Sequence, residues 1–161
     1  MARLLREFVG LSYDPKLVKE AREQGRPIIL SGIIQKANTP NQNNRLYTRK
    51  VLEREISNYQ KVVNENRALG CLDHEDQATI SLEKVSHKLN KVWWDGDDVL
   101  GELQILDTPR GKIAQDLLAG GCRLGISSRG VGETSKNSEG LDVVDEQFLL
   151  VTWDIVSEPS T

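Results

Sequence analysis

The sequence predicts an α+β fold: a mainly antiparallel curved sheet or small β-barrel with helices packed outside it. Two observations carry that reading. Strand-length apolar runs follow one another through short turns. Only two internal stretches show helical periodicity, so the strand–helix–strand alternation of a parallel α/β fold is missing. The 161 residues suffice for one domain with a real core. One domain over residues 1–161 is expected, with 1–26 carrying the least pattern.

In chain order, "DPKLVKEAREQGRP" holds one short helix, ended by Gly25 and Pro27. "PIILSGIIQKA" (27–37) is an Ile-rich strand in which Gly32 marks a bulge or a close approach. "NTPNQNNRLY" (38–47) is a polar loop. Thr48 caps a helix over 49–65, where Val51, Leu52, Ile56, Tyr59, Val62 and Val63 recur at helical spacing. "LGCLDHEDQ" (69–77) is a short strand running into a loop. Residues 80–94 form a strand with a bulge, "DGDD" (95–98) a hairpin turn, and 99–106 the returning strand. Thr108 and Pro109 start the second internal helix with Ile113, Leu117 and Leu118 on one face, ended by Gly120 and Gly121. A strand at 122–131, a polar loop at 133–140 and strands at 141–144 and 147–157 complete the chain.

Apolar content of 38% and charged content of 28% are ordinary for a soluble globular protein. The net charge of −3 leaves no basic excess to neutralise phosphates, so no direct nucleic-acid contact is expected. No apolar run approaches the ~18 residues of a membrane span, and the N-terminus lacks the long apolar region of a signal peptide. Cys71 and Cys122 have no metal-type spacing and read as buried free thiols of a reducing compartment. No metal or organic cofactor is expected.

"LGISSRG" (124–130) reads as a strand that ends in two hydroxyls. A serine is a weak nucleophile without a base in hydrogen-bond reach, and that base needs a third group to fix its tautomer. Only two histidines are present: His74, where a strand gives way to a polar loop, and His87, inside a strand. Adjacent strand side chains face opposite ways, so only one of Ser127 and Ser128 can meet a given histidine. Ser127 projects away from the face that Ile126 buries. Ser128 shares Ile126's side and reads as a structural hydrogen-bonder.

Five blocks in order, "NRLYTRKVLEREI" (44–56), "GCLDHED" (70–76), "KVWWDGDDVLGELQILDTPRGK" (91–112), "LGISSRGVG" (124–132) and "WDIVSEPS" (153–160), carry a resemblance. The chain resembles the prohead core proteases of T-even-type tailed bacteriophages, serine peptidases distantly similar to the herpesvirus assembly proteases. The resemblance implies that His74 is the catalytic histidine and Ser127, the first serine of the pair, the nucleophile. Glu75 stands where the family often has proline. Asp154 is the first choice for the third member, with His87, Asp73 or water as the alternatives. Backbone N–H groups at a turn through Arg129 and Gly130 are candidate oxyanion donors. The Arg129 side chain is read either as a contact to the substrate or as a surface salt bridge.

What the resemblance implies for function is a serine endopeptidase that cleaves phage scaffold and major capsid proteins during prohead maturation, after glutamate, with self-cleavage and oligomer formation left open. It implies a place in the host cytoplasm, inside the prohead, away from membranes. The family usually continues with a polar helical tail, so the ending "EPST" reads as a shortened or self-trimmed chain. The competing class is non-enzymatic, a β-barrel tube or scaffold subunit of a phage particle. Such a subunit has no reason to keep His74 and Ser127 together. A small-molecule acyl transferase lacks its Gly-x-Ser-x-Gly elbow.

Overall fold

The computed structural model describes residues 2–157; residues 158–160 of the last sequence block, and the ending "EPST" from its glutamate onward, lie outside the described residues. Ten strands and three helices follow in the order β1 (Arg3–Gly10), α1 (Pro15–Glu23), β2 (Ile28–Lys36), β3 (Arg45–Leu46), α2 (Arg49–Asn64), β4 (Leu69–Cys71), β5 (Val85–Asp95), β6 (Asp98–Ile105), α3 (Pro109–Ala119), β7 (Gly125–Gly132), β8 (Thr134–Lys136), β9 (Asp142–Val144) and β10 (Leu149–Val156). The class is α+β as expected.

Seven of these strands form two antiparallel sheets, β1–β7–β10 and β2–β6–β5–β4. The sheets are stitched where β10 meets β4. Leu72 bridges Ile155 in parallel, the Asp73 N–H donates to the Ile155 carbonyl at 2.7 Å, and the Thr152 hydroxyl donates to the Leu69 carbonyl at 2.7 Å. At the other end β1 and β2 are not paired, so the sheet curves round without closing into a barrel. A small third sheet, β3–β9–β8, contains the one parallel strand pair among the described residues, β3 with β9.

The core lies inside the curve. Ile126, Trp153 and Ile155 from β7 and β10 meet Leu89, Val92, Leu103 and Ile105 from the other sheet, with Ile56 and Tyr59 of α2 and Leu118 of α3 packed against them. Helix starts follow the capping chemistry read in the sequence. The Thr48 hydroxyl accepts from the Val51 N–H at 3.3 Å, and the Thr108 hydroxyl from the Gly111 N–H at 3.0 Å.

Several expectations need correction. Residues 1–26, which carry the least sequence pattern, contain β1, and it lies along β7 over its whole length. The bulge of β2 falls at Ile34, and Gly32 pairs in regular register with Gly101. The predicted loop at 133–140 contains β8. Ile113 is 46% exposed, whereas Gly111 and Ala114 are buried beside Leu118. The buried face of α3 is turned because Gly111 sits against the Leu106 and Ser86 carbonyls, where no Cβ fits. Cys71 is buried as expected, but Cys122 is exposed.

The charged look of β1 has a structural reason. Glu7 is buried and gathers the polar loop onto the strand. One carboxylate oxygen accepts from Asn41 at 2.8 Å and Asn43 at 2.9 Å, and the other from Arg45 at 3.0 Å and from the Tyr47 hydroxyl. Removing one partner of such a cluster leaves buried donors and a cation uncompensated. Glu7→Ala should therefore lower stability by about 3 kcal/mol in urea unfolding, whereas a loss below about 1 kcal/mol would show that the loop is held by other contacts.

Candidate active site

The site is assembled where the two sheets are stitched. β4 must come close to β10, and Gly70 allows it: a Cβ there would collide with the His87 ring and the Trp153 carbonyl. The Leu72 bridge and the Asp73 N–H then fix the chain on β10. Asp73 takes a left-handed turn at φ 64°, which a short polar side chain tolerates, and delivers His74 over Asp154. On β7, Ser127 and Arg129 point to the same face, and in the ladder Asp154 lies opposite Ser127.

The resulting line of contacts is short. The Ser127 hydroxyl lies 2.8 Å from His74 Nε2, and His74 Nδ1 lies 2.7 Å from Asp154 Oδ2. With the neutral imidazole carrying its proton on Nδ1, Nδ1–H donates to the carboxylate and Nε2 accepts from Ser127. Serine, histidine and aspartate, named separately in the sequence, are thus one hydrogen-bonded chain.

Asp154 is held from three more directions. Its Oδ1 accepts from the Cys71 N–H at 3.0 Å. Arg129 grips both oxygens, Nε to Oδ2 at 2.8 Å and Nη2 to Oδ1 at 3.2 Å. Burial pushes the Asp154 carboxyl up, but the bonds from His74 and Arg129, the Arg129 charge and the Cys71 N–H outweigh it and hold it below the usual carboxylate value. The carboxylate is therefore ionised while fully buried.

Arg129 departs from both sequence readings. Its side chain is 0% exposed, so it forms neither a surface salt bridge nor a contact to a substrate carboxylate. Beyond Asp154, Nη1 donates to the carbonyls of Gln77 and Thr79, both at 2.7 Å. One guanidinium thus ties the Asp154 carboxylate to the loop that follows His74. The turn expected at Arg129–Gly130 is also absent. β7 runs on to Gly132, paired with β1 and β10 on its two edges, so the main-chain groups of both residues lie within a sheet. Gly130 is bare because a Cβ would meet the Phe148 ring, on the face opposite Ser127.

The other two candidates are placed apart. His87 is fully buried behind Gly70, where its Nε2–H donates to the Trp153 carbonyl at 2.9 Å and Nδ1 accepts from the Ser86 hydroxyl at 2.8 Å. Ser128 faces the core opposite Trp153 as expected, but its hydroxyl has no hydrogen-bond partner among the described residues. Ser127 itself is 1% exposed. Phe8 of β1 lies opposite it, with its ring where a Cβ on Gly125 would sit. Beside them a cavity of about 510 Å³ is lined by Phe8, Gly10, Leu11, Arg123, Leu124 and Ser157. Among the described residues no group of three or more acidic, His or Cys side chains is arranged to hold a metal ion, and no helix is long and apolar enough to cross a membrane.

Comparison with known proteins meets this geometry. The model of the prohead core protein serine protease family matches residues 16–161. The prohead core protein protease of Enterobacteria phage T4 is 33% identical over 138 residues, 83% of this chain. The matched chain spans 65% of that relative's length. The solved structure of the bacteriophage T4 capsid assembly protease, gp21, superposes with a TM-score of 0.83 at 26% identity, covering 98% of this chain and 99% of that one.

The burial of His87 has a pH signature. Desolvation lowers its pKa from 6.5 to about 4, against a smaller upward pull from the Trp153 carbonyl and Asp154. The unfolded chain takes up a proton near pH 6.5 and the folded one only near pH 4. Folding stability should thus be full above pH 6.5 and fall by roughly 3 kcal/mol as pH drops toward 4. Stability curves at stepped pH check this: His87→Gln should remove the slope in that window, and an unchanged slope would assign it elsewhere.

Proposed function

The chain belongs to the prohead core protein serine protease family, and from that membership we propose that it is a serine endopeptidase that cleaves scaffold and capsid proteins as a phage prohead matures. Ser127 is the nucleophile, His74 the general base and acid, and Asp154 the carboxylate that orients His74. The observation that carries the reading is the unbroken Asp154–His74–Ser127 chain of hydrogen bonds at 2.7 and 2.8 Å. A structural subunit of a particle gains nothing from such a line.

The chemistry runs as acyl transfer. Ser127 Oγ attacks the scissile carbonyl carbon while its proton passes to His74 Nε2. The imidazolium so formed keeps its Nδ1–H on Asp154, whose charge stabilises it. Collapse of the tetrahedral adduct breaks the C–N bond, and His74 returns the proton to the departing amine. Water, deprotonated by the same imidazole, then releases the acyl group from Ser127. Since Asp154 is shared with Arg129, its charge is partly neutralised before the reaction. The arginine holds the carboxylate at the right angle and keeps it ionised, and the imidazolium adds a second cation only transiently.

Cleavage after glutamate needs a cation within reach of the substrate side chain, and Arg129 is not available. Arg123 is the basic residue lining the cavity beside Gly125, two positions along β7 on the face of Ser127. It is the residue we assign to a P1 carboxylate. The enzyme acts on these proteins inside the prohead, in the host cytoplasm.

Ser127→Ala should abolish peptide cleavage with the fold intact, and Ser128→Ala should retain most of it; equal losses would move the nucleophile. Asp154→Asn should lower turnover by about 10⁴ with little change in substrate binding, as expected when the orienting acceptor of a catalytic histidine becomes an amide. Full turnover in that variant would return the third role to another group. Arg123→Gln should cut the preference for glutamate over glutamine peptides by about tenfold, the size of one exposed charge-assisted contact. Equal loss on both peptides would remove Arg123 from the specificity site.

A further inference from the structure

The curved sheet is open along one line, between β1 and β2. β1 pairs only with β7, and β2 only with β6. Their free edges face each other across a groove. One part, about 290 Å³, lies between Glu7–Val9 and Ile34–Lys36; the next, about 210 Å³, lies between Val9–Leu11 and Ser31–Ile34. The two strands run in opposite directions along it.

Three features of this seam suit a main chain and nothing else in the protein. The first is β1's outer edge. The Leu11 N–H donates inward to the Leu124 carbonyl, so odd-numbered residues face β7 and even-numbered ones face the groove. The Arg6 carbonyl is capped there at 2.9 Å by the side-chain amide of Asn43. The main-chain groups of Phe8 and Gly10, further along the edge, meet no partner among the described residues. They repeat at the two-residue spacing that an extended peptide presents.

The second feature is glycine. Gly10 and Gly32 line the groove, and a Cβ on either would meet no atom within 4 Å. Neither has a positive φ or a close neighbour to require it, and the bulge of β2 lies elsewhere. A bare strand position with nothing against it marks a place where another backbone comes close. The third feature is Gln35. It is 3% exposed, lines the groove, and neither its amide N nor its amide O has a hydrogen-bond partner among the described residues. A buried carboxamide with both atoms unmet has the donor and acceptor pair of a peptide bond as its natural complement.

We propose that the seam between β1 and β2 is a strand-docking site for an extended segment of the polypeptide being cleaved, held by its main chain at Phe8, Gly10 and Gln35. The occupant's identity rests on the peptidase reading above. A strand seated there pairs with the free edge of β1 at Phe8 and Gly10. It lies two strand spacings, about 9.6 Å, from β7, so another part of the same polypeptide reaches Ser127. Because the contacts are main-chain, the site selects extension rather than sequence.

The test separates binding from catalysis. Amide hydrogen exchange is followed in the full Ser127→Ala chain with excess of a blocked seven-residue peptide of alternating Thr and Val. A second arm uses the same peptide with alternate amides N-methylated. Exchange at Phe8 and Gly10 should slow about tenfold with the first peptide and not with the second, as the loss of main-chain hydrogen bonds requires. No slowing, or equal slowing by both peptides, overturns the site. Gly32→Val, which fills the groove without a clash, should raise KM for an unfolded protein substrate about tenfold while a fluorophosphonate labels Ser127 at the wild-type rate. Unchanged KM in that variant overturns the assignment to substrate. Failure of the wild-type chain to label at Ser127 would sink the peptidase reading alone, since the exchange experiment needs no activity.

Discussion

The buried ion pair between Arg129 and Asp154 is the contact on which the site depends. Neither side chain reaches solvent, so each charge is tolerable only because the other is there. The pair links β7 to β10 across the ladder. It passes through His74 to Ser127 on one side, and through the Gln77 and Thr79 carbonyls to the loop on the other. Loss of either partner would leave a charge in the interior, at a cost of about 3–5 kcal/mol. The geometry of the Ser127–His74–Asp154 line and the stability of the fold are therefore coupled at these two residues.

This arrangement explains why the strand at 125–132 is buried at every position but Val131 although it is built largely of glycines, serines and an arginine. One face is the site and the other the core. Gly125 and Gly130 give up side chains to Phe8 and Phe148, which cover the strand from the two sides. Gly70 does the same for His87 and β10. His87 serves as a neutral strut, fixing the Trp153 carbonyl next to Asp154, and the environment that lowers its pKa keeps it out of proton transfer.

His74 and Ser127 are unremarkable taken singly, and they were named in the sequence through the ordered blocks that resemble the prohead core proteases. Asp154 was named from the last of those blocks, ahead of His87. The role of Arg129 was not legible. An arginine after two serines looks like the start of a turn, and only the partner strand supplies the carboxylate that allows it to be buried. β1 was hidden for a similar reason: Arg6 and Glu7 interrupt its apolar alternation, and their partners, Glu75, Asp76, Asn41, Asn43, Arg45 and Tyr47, are tens of residues away. The helices and the β5–β6 hairpin, whose signals are local, fell where periodicity and capping placed them. Where periodicity misled, as at Ile113, the close contact of Gly111, two residues earlier, turns a different face of the helix inward.

The central claim is that Asp154, kept ionised by Arg129, sets the tautomer of His74. Nitrogen-15 NMR of the imidazole in the resting chain tests it most directly. The account predicts that neutral His74 carries its proton on Nδ1 in the wild type, and that Asp154→Asn moves it to Nε2. A wild-type imidazole protonated on Nε2, or a tautomer indifferent to Asp154, would contradict it.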